Sequence, residues 1–281
     1  MLVEMGLRRQ FQTVPNDLQS LSPVEGASQT LKQFSASDVF SSGTLQLFRS
    51  DESLFSGFLS SVDSSLDRTR ERLLDMGCGY GGLTYLLART WGFEQAYGIE
   101  IDDKRATVAL ERGVKVSRCD IEEESGLPFP SDHFDLVMTF GVLDHLKNVE
   151  APIAEAHRVL RPGGHLVVST TNLSSWVNRI ALLLGYQPRN LEISKRKLFG
   201  VHESYRQLYG CTDTLGRISS FTLRAFEEML EFYNFRVLKE WGARLIPKPD
   251  RDPAGIIGAV DRLLSKRPSL AVRYLVFCKK I

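Results

Sequence analysis

Cysteine is scarce in this chain: four in 281 residues, Cys78, Cys119, Cys211 and Cys278, with no C-x-x-C pair and no metal-ligand spacing among them. That scatter excludes a disulfide framework and a cysteine-held metal, so no metal is expected, and it reads as reduced thiols in a cytoplasmic protein. An excess of one charge is missing as well. Lys and Arg number 35 against 34 Asp and Glu, so no net basic field would hold a nucleic acid by its phosphates. Apolar runs such as Ile180–Leu184 are short, whereas a bilayer span needs about 20 such residues. The N-terminal stretch carries Glu4, Arg8 and Arg9 and lacks the apolar core of a signal peptide, which again points to the cytoplasm. No internal repeat is visible.

What is present is a strand that runs into glycine. Leu73-Leu74-Asp75-Met76 is followed by Gly77, Gly79, Gly81 and Gly82, broken only by Cys78 and Tyr80, and then by the apolar start of a helix. Such a turn lets a ligand approach the backbone and offers it the unpaired N–H groups of a helix N-terminus. Gly77, Gly79 and Gly82 also satisfy the dinucleotide pattern G-x-G-x-x-G with Glu100 downstream. The turn alone therefore leaves a nicotinamide dinucleotide open.

Around the turn, strands at 71–76, 96–101, 114–119, 134–140 and 164–170 alternate with helices near 82–91, 103–112 and 150–160. That is the pattern of a parallel sheet covered on both faces. Arg161-Pro162-Gly163-Gly164 ends the third of these helices. Upstream, residues 1–35 read as a polar arm. Helical patterns follow at 37–48 and 51–62, the second with a stripe of Leu54, Phe55, Phe58, Leu59 and Val62. Downstream, a helix at 222–233 with Thr222 as its cap precedes apolar strands at 235–238 and 272–278.

Several motifs then come in a fixed order: Asp75 in the first strand end, Gly98-Ile99-Glu100-Ile101-Asp102, Cys119-Asp120-Ile121, Leu127-Pro128-Phe129, Phe134-Asp135-Leu136-Val137, and the Val159–Val168 stretch. In these motifs the chain resembles the class I S-adenosylmethionine-dependent methyltransferases, in their small-molecule branch, across residues 70–170. The resemblance implies an α/β, Rossmann-like doubly wound sheet of seven strands, mostly parallel, with the last antiparallel between the fifth and sixth. Helices would cover both faces. It implies an N-terminal arm and cap helices over 1–65, and a methyltransferase domain over 66–281 in which 171–220 is a substrate-lid insertion. It also implies S-adenosylmethionine as cofactor. Gly77, Cys78, Gly79 and Gly81 would lie along its methionine and ribose portions, and Asp75 would face its amino group. Glu100, with Ile101, would hold the ribose hydroxyls, Asp120 the adenine amino group and Ile121 the ring. Phe140, Gly141 and Val142 would line the sulfonium side. Cys78 reads as a small residue that fits the turn, and Asp135 as a holder of the strand.

On the acceptor side, His145 lies just beyond strand four, where the family often has histidine near the cofactor. It reads as a general base, as a cofactor-pocket wall or as a packing residue. His133, His157 and His165 read as structural. In the insertion, Trp176, Asn178, Arg179 and Tyr186 suit a polar or sugar-bearing acceptor, and Leu182, Leu183 and Leu184 suit a lipid tail; packing of the lid on the sheet is the competing reading for Trp176 and the leucines. Lys195-Arg196-Lys197 suits an anionic group or a solvated loop. The insertion loosely resembles methyltransferases of cell-envelope glycan and glycolipid pathways. The expected function is methyl transfer to a small-molecule or biosynthetic-intermediate acceptor, glycan- or lipid-linked acceptors included, with oxygen as the favoured atom. The alternative is a noncatalytic S-adenosylmethionine-binding regulator or partner subunit. The oligomeric state is left open.

Overall fold

The computed structural model describes residues 26, 48, 51–67, 70–123, 126–204, 206, 214–245 and 256–281. The expected arm over 1–35 and the helix over 37–48 lie outside these residues, apart from Gly26 and Phe48. The elements run α1 (Glu52–Ser65), β1 (Arg72–Met76), α2 (Gly82–Thr90), β2 (Gln95–Ile99), α3 (Asp103–Glu111), β3 (Lys115–Ser117), β4 (Phe134–Phe140), α4 (Glu150–Val159), β5 (Leu160–Thr171), α5 (Trp176–Leu183), α6 (Leu223–Phe232), β6 (Phe235–Ala243), α7 (Ile256–Leu264) and β7 (Arg273–Lys280). One seven-stranded sheet has the order β3-β2-β1-β4-β5-β7-β6. Strands β1 to β5 pair in parallel, and β7 runs antiparallel between β5 and β6. This is the fold class expected from the motifs.

The period-two alternation of a strand sends neighbouring residues to opposite faces, and each face meets its own helices. Leu73, Met138, Val167 and Phe277 pack with the α1 stripe and with Leu83, Leu86 and Leu87 of α2. Leu74, Val137, Leu166 and Val276 pack with Ile153 of α4 and with Phe226 and Leu230 of α6. The buried residues of α1 are Leu54, Phe55, Phe58, Leu59 and Val62, the stripe that the sequence marks. Asp51 caps that helix by accepting from the Leu54 N–H at 2.9 Å.

The chain leaves β1 toward β2 and β3 on one side, then crosses back to β4 on the other. The C-terminal ends of β1 and β4 therefore flank the topological switch point, where open α/β sheets hold their ligands. The glycine turn and Gly141 both stand there.

Several boundaries differ from the sequence reading, and three of the differences have a visible cause. Strand β3 is Lys115–Ser117, shorter than 114–119. Past it, Asp120 folds the chain into a side-chain turn, its Oδ1 accepting from the Glu122 N–H at 2.9 Å, and an edge strand has no second neighbour to prolong it. Strand β5 begins at Leu160, directly after α4. Leu160 pairs with Phe134 and His165 with Leu136, so Arg161–Gly164 bulge between two paired positions, with Gly163 at φ 73°. Strand β6 extends to Ala243, although Lys239 and Glu240 obscure the alternation in sequence. A further helix, α7, has no counterpart in the sequence reading.

Candidate cofactor and acceptor site

The glycine turn is held by the strands beside it. Gly77 and Cys78 both donate their N–H groups to the Ile99 carbonyl at 2.9 Å. Gly77 has φ 85°, and a Cβ there would collide with the Val142 side chain. Glycine is thus required at this position both by backbone conformation and by the approach of the loop after β4. Gly81 has φ 75°, and a Cβ on it would come within 2.7 Å of Ala109 on α3. Gly81 is also the N-cap of α2 and supplies no side-chain cap, so the first N–H groups of α2 are left for a ligand. A Cβ at Gly79 would meet nothing within 4 Å; the turn is open above it.

Two carboxylates face this turn. Asp75 is buried at the end of β1, with its Oδ2 accepting from the Thr84 hydroxyl at 2.6 Å. Burial, opposed by that hydrogen bond and reinforced by the charge of Glu100, pushes its pKa up to about 7. Its Oδ1 is buried without a hydrogen-bond partner. Glu100, only 6% exposed, directly follows β2, and its Oε1 accepts from the Asp102 N–H at 2.9 Å. A buried acceptor oxygen beside a second acid suits a ligand that brings an ammonium and a sulfonium charge. It suits a pyrophosphate poorly, because an anion placed there would meet two acids. The residues present therefore fit S-adenosylmethionine better than a nicotinamide dinucleotide.

The other cofactor candidates divide. Phe140 is buried in the α1–α2 core, where Phe48 and Phe58 set their rings edge-on to it at 6.3 Å. Gly141, at φ 68°, carries the chain out of β4, and Val142 covers Gly77. Ile121 is buried in the opposite core, whereas Ile101 is 68% exposed at the end of β2. Asp120 stands in its turn beyond β3. Cys78 is buried against Gly98, and burial, with the charges of Asp75 and Glu100, drives its thiol well above the usual range.

Beyond Val142, a short 3-10 turn over Leu143–His145 is tied to the end of the insertion. Buried Asp144 accepts from Arg217 Nε at 2.8 Å, and its backbone carbonyl accepts from the N–H groups of Ile218 and Ser219. Burial would raise the Asp144 carboxyl, but the charges of Arg273 and Arg217 outweigh it and hold the group below its ordinary value. Ser219 Oγ donates to the Leu146 carbonyl at 2.5 Å. His145 is exposed, with its Nδ1 3.2 Å from the Gly216 carbonyl. A carbonyl only accepts, so in this contact Nδ1 carries a proton and donates, and in the neutral ring Nε2 is the acceptor nitrogen. Sequence reasoning did not single out Asp144 or assign a role to Gly216; the pairing spans more than 70 residues and has no local signature.

Of the remaining insertion candidates, Trp176 bonds outside the insertion and the others within it. Trp176 Nε1 donates to Asp261 Oδ1 at 3.0 Å. Asn178, 3% exposed, donates to the carbonyls of Asn172 and Leu173 and to Asn190 Oδ1. Arg179 Nε donates to the Ser174 carbonyl at 2.7 Å. Tyr186 sets its ring edge-on to His202 at 4.7 Å. Lys195, Arg196 and Lys197 are exposed. Away from the site, Asp135 accepts from the backbone N–H groups of Glu71 and Arg72 and from Arg161, as a strand-holding acid should. His165 lies against Phe277, and burial takes its pKa down to about 4. His157 packs edge-on to Phe235 and His133 edge-on to Phe134, so these three rings are structural.

Comparison with known proteins agrees with this geometry. A family model described as a methyltransferase domain matches residues 52–240. A demethylmenaquinone methyltransferase of Tropheryma whipplei is 34% identical over 99 residues, covering 35% of this chain and 41% of its own length. A ubiquinone biosynthesis O-methyltransferase of Marinobacter nauticus is 33% identical over 122 residues, covering 41% of this chain and 50% of its own. The chain thus spans about half the length of the curated relatives it matches. In structure, an S-adenosylmethionine-dependent methyltransferase of Thermotoga maritima superposes with a TM-score of 0.51 at 18% identity, covering 84% of this chain and 92% of that one, which is a likeness of fold. With the family model matching residues 52–240 of the chain and the residues at the switch point suited to a cationic cofactor, this chain belongs to the methyltransferase-domain family, with S-adenosylmethionine as its cofactor.

Proposed function

We propose that this protein transfers the methyl group of S-adenosylmethionine to a small-molecule acceptor, at an oxygen atom. The observation that carries the reading is the pair of acids, Asp75 and Glu100, at an open glycine turn on the switch point of the sheet. The cofactor, when bound, supplies a methyl group already activated on a sulfonium. The protein's task is then alignment and exclusion of water rather than activation. Asp75 and Glu100 would hold the amino group and the ribose hydroxyls, and Val142 fixes the loop after β4 against the turn.

The acceptor side is the seam between residues 143–146 and 216–219, with the 171–220 segment as its lid. His145 presents Nε2 as the atom that takes the acceptor's proton, because Nδ1 is committed to Gly216. Arg217 and Asp144 hold that seam together. The Trp176 indole is tied to Asp261 outside the lid, and Asn178 bonds within it to Asn172, Leu173 and Asn190, which supports a framing role for both and leaves Tyr186 and Arg179 as the rim of the lid. The Marinobacter relative is a ubiquinone biosynthesis O-methyltransferase, which supports an aromatic hydroxyl among the acceptors to be tried.

The test is turnover of methyl-labelled cofactor with a fractionated metabolite extract, followed by identification of the labelled product. A labelled oxygen ether or ester is expected. Tight cofactor binding with no labelled product under any fraction would replace this reading with that of a binding-only subunit.

A further inference from the structure

Helices α5 and α7 each bury a polar side chain and expose large apolar ones. On α5, the residue that faces the body of the protein is the amide Asn178, while Ile180, Leu183 and Leu184, on and just past the opposite side of the turn, face outward; Leu183 is 85% exposed. Residues three and four apart share a helix face, so Ile180 and Leu183 with Leu184 make one stripe. On α7, the inward residue is Asp261, 0% exposed, which accepts from the Leu245 N–H and from Ser265 Oγ. Its outward residues include Ile257 and Leu263, 57% and 66% exposed. A surface helix ordinarily has the reverse arrangement, with apolar residues inward and polar ones outward.

The two helices belong to one edge of the molecule. Trp176 at the start of α5 donates to Asp261 in α7, its backbone N–H donates to the Leu270 carbonyl just past α7, and Asn172 donates to the carbonyls of Pro268, Ser269 and Ala271. Among the described residues of α5, α7 and the turn after α7, the exposed charges have one sign. Arg179 on α5, Arg262 on α7, and Lys266 and Arg267 in the turn after it are exposed, and the acid of these stretches, Asp261, is buried. In a chain whose net charge is +1, such a local bias marks the surface.

We propose that α5 and α7 form a docking face for an anionic phospholipid surface. The outward leucines and isoleucines enter the interfacial layer, and the arginines and lysines beside them meet the headgroups. The helices lie on the membrane and do not cross it, and among the described residues no helix is long and apolar enough to cross one. Apolar stripes without the basic rim would equally suit a second copy of the chain. The uniform positive charge favours an anionic surface, since two such faces brought together would repel. This inference uses no residue of the cofactor crevice; it shares α5 and Arg179 with the proposed acceptor lid, and vesicle binding is therefore measured without cofactor or acceptor.

The test is co-sedimentation of the full chain with vesicles of phosphatidylcholine containing phosphatidylglycerol, against vesicles of phosphatidylcholine alone, at low and high salt. Binding to the anionic vesicles, weakened by salt, is expected. Leu183→Ser should lower the partition by about tenfold, from the loss of one buried leucine side chain, and Arg262→Glu with Lys266→Glu should abolish it. These positions are exposed, and unchanged thermal unfolding would verify that the variants fold. Absence of binding to anionic vesicles, or binding that both variants retain, would overturn the proposal. A concentration-dependent dimer that Leu183→Ser dissolves, without vesicle binding, would also overturn it and assign the face to a second copy.

Discussion

Asp75 illustrates how burial prepares a residue for a ligand. Burial at the end of β1, beside the charge of Glu100, raises its pKa to about 7, so near neutral pH the free protein carries a fraction of a proton there. A cationic cofactor favours the carboxylate and should expel that proton. Calorimetry at pH 7 in two buffers of different ionisation enthalpy should therefore show net proton release on binding S-adenosylmethionine, and Asp75→Asn should show none. Proton uptake by the wild type would contradict the placement of Asp75 against the cofactor's positive groups. His145 is the other residue whose role a single change reveals. His145→Ala should lower turnover by about 100-fold with cofactor affinity nearly unchanged if Nε2 is the base. A loss of cofactor affinity instead would make it a wall of the pocket.

The seam between the β4 loop and the end of the insertion depends on one buried ion pair. Arg217→Ala would leave buried Asp144 without its hydrogen-bonded cation, and breaking such a pair costs about 3 kcal/mol at the low end of the usual range. Chemical denaturation should show that loss, and Asp144→Asn in the same chain should recover part of it, since the uncompensated charge is then gone. A variant as stable as the wild type would show that the pair is dispensable. A second pair acts in the opposite sense. Glu240 on β6 is half-buried beside Glu227 of α6, and burial, with the hydrogen bond and charge of Glu227, raises its pKa to about 8. The folded state then holds a proton that the unfolded chain releases near its ordinary value of 4.5, so stability from this group falls as pH rises from about 4.5 to 8. Glu240→Gln should accordingly gain stability relative to wild type as pH rises from 5 to 8, as melting curves at the two values would reveal. A pH-independent difference would rule out the shared proton.

At the scale of the whole molecule, the cofactor crevice lies between the two halves of the sheet, where β1 and β4 meet and where α2 and the β4 loop converge. A ligand bound there bridges both halves and should stabilise the fold as a unit. At a free concentration of 100 times its dissociation constant, S-adenosylmethionine should add about 2.7 kcal/mol to the unfolding free energy. Thermal unfolding with and without it checks this, and the same experiment with NAD should show no shift. Stabilisation by NAD and none by S-adenosylmethionine would return the glycine turn to the dinucleotide reading.

The glycine turn was legible in the sequence because its cause is local. Backbone at φ 85° and 75° admits few residues besides glycine, and an acid just before and another at the next strand end follow from strand length alone. The alternation of strands and helices and the α1 stripe were legible for the same reason, since each records its own period. Tertiary structure decided what no local pattern contains. Asp144 finds Arg217 across more than 70 residues, and Trp176 finds Asp261 across 85; both are contacts that only the folded sheet brings together. Leu182, Leu183 and Leu184 could not be assigned from sequence to a packed lid or to a lipid-facing surface, and helix α7 had no place in that reading at all. A periodic pattern tells which residues share a face of a helix; which face meets the core depends on what lies opposite, and here Asn172, Asn190 and Leu245 offer the partners that draw Asn178 and Asp261 inward and leave the leucines outside.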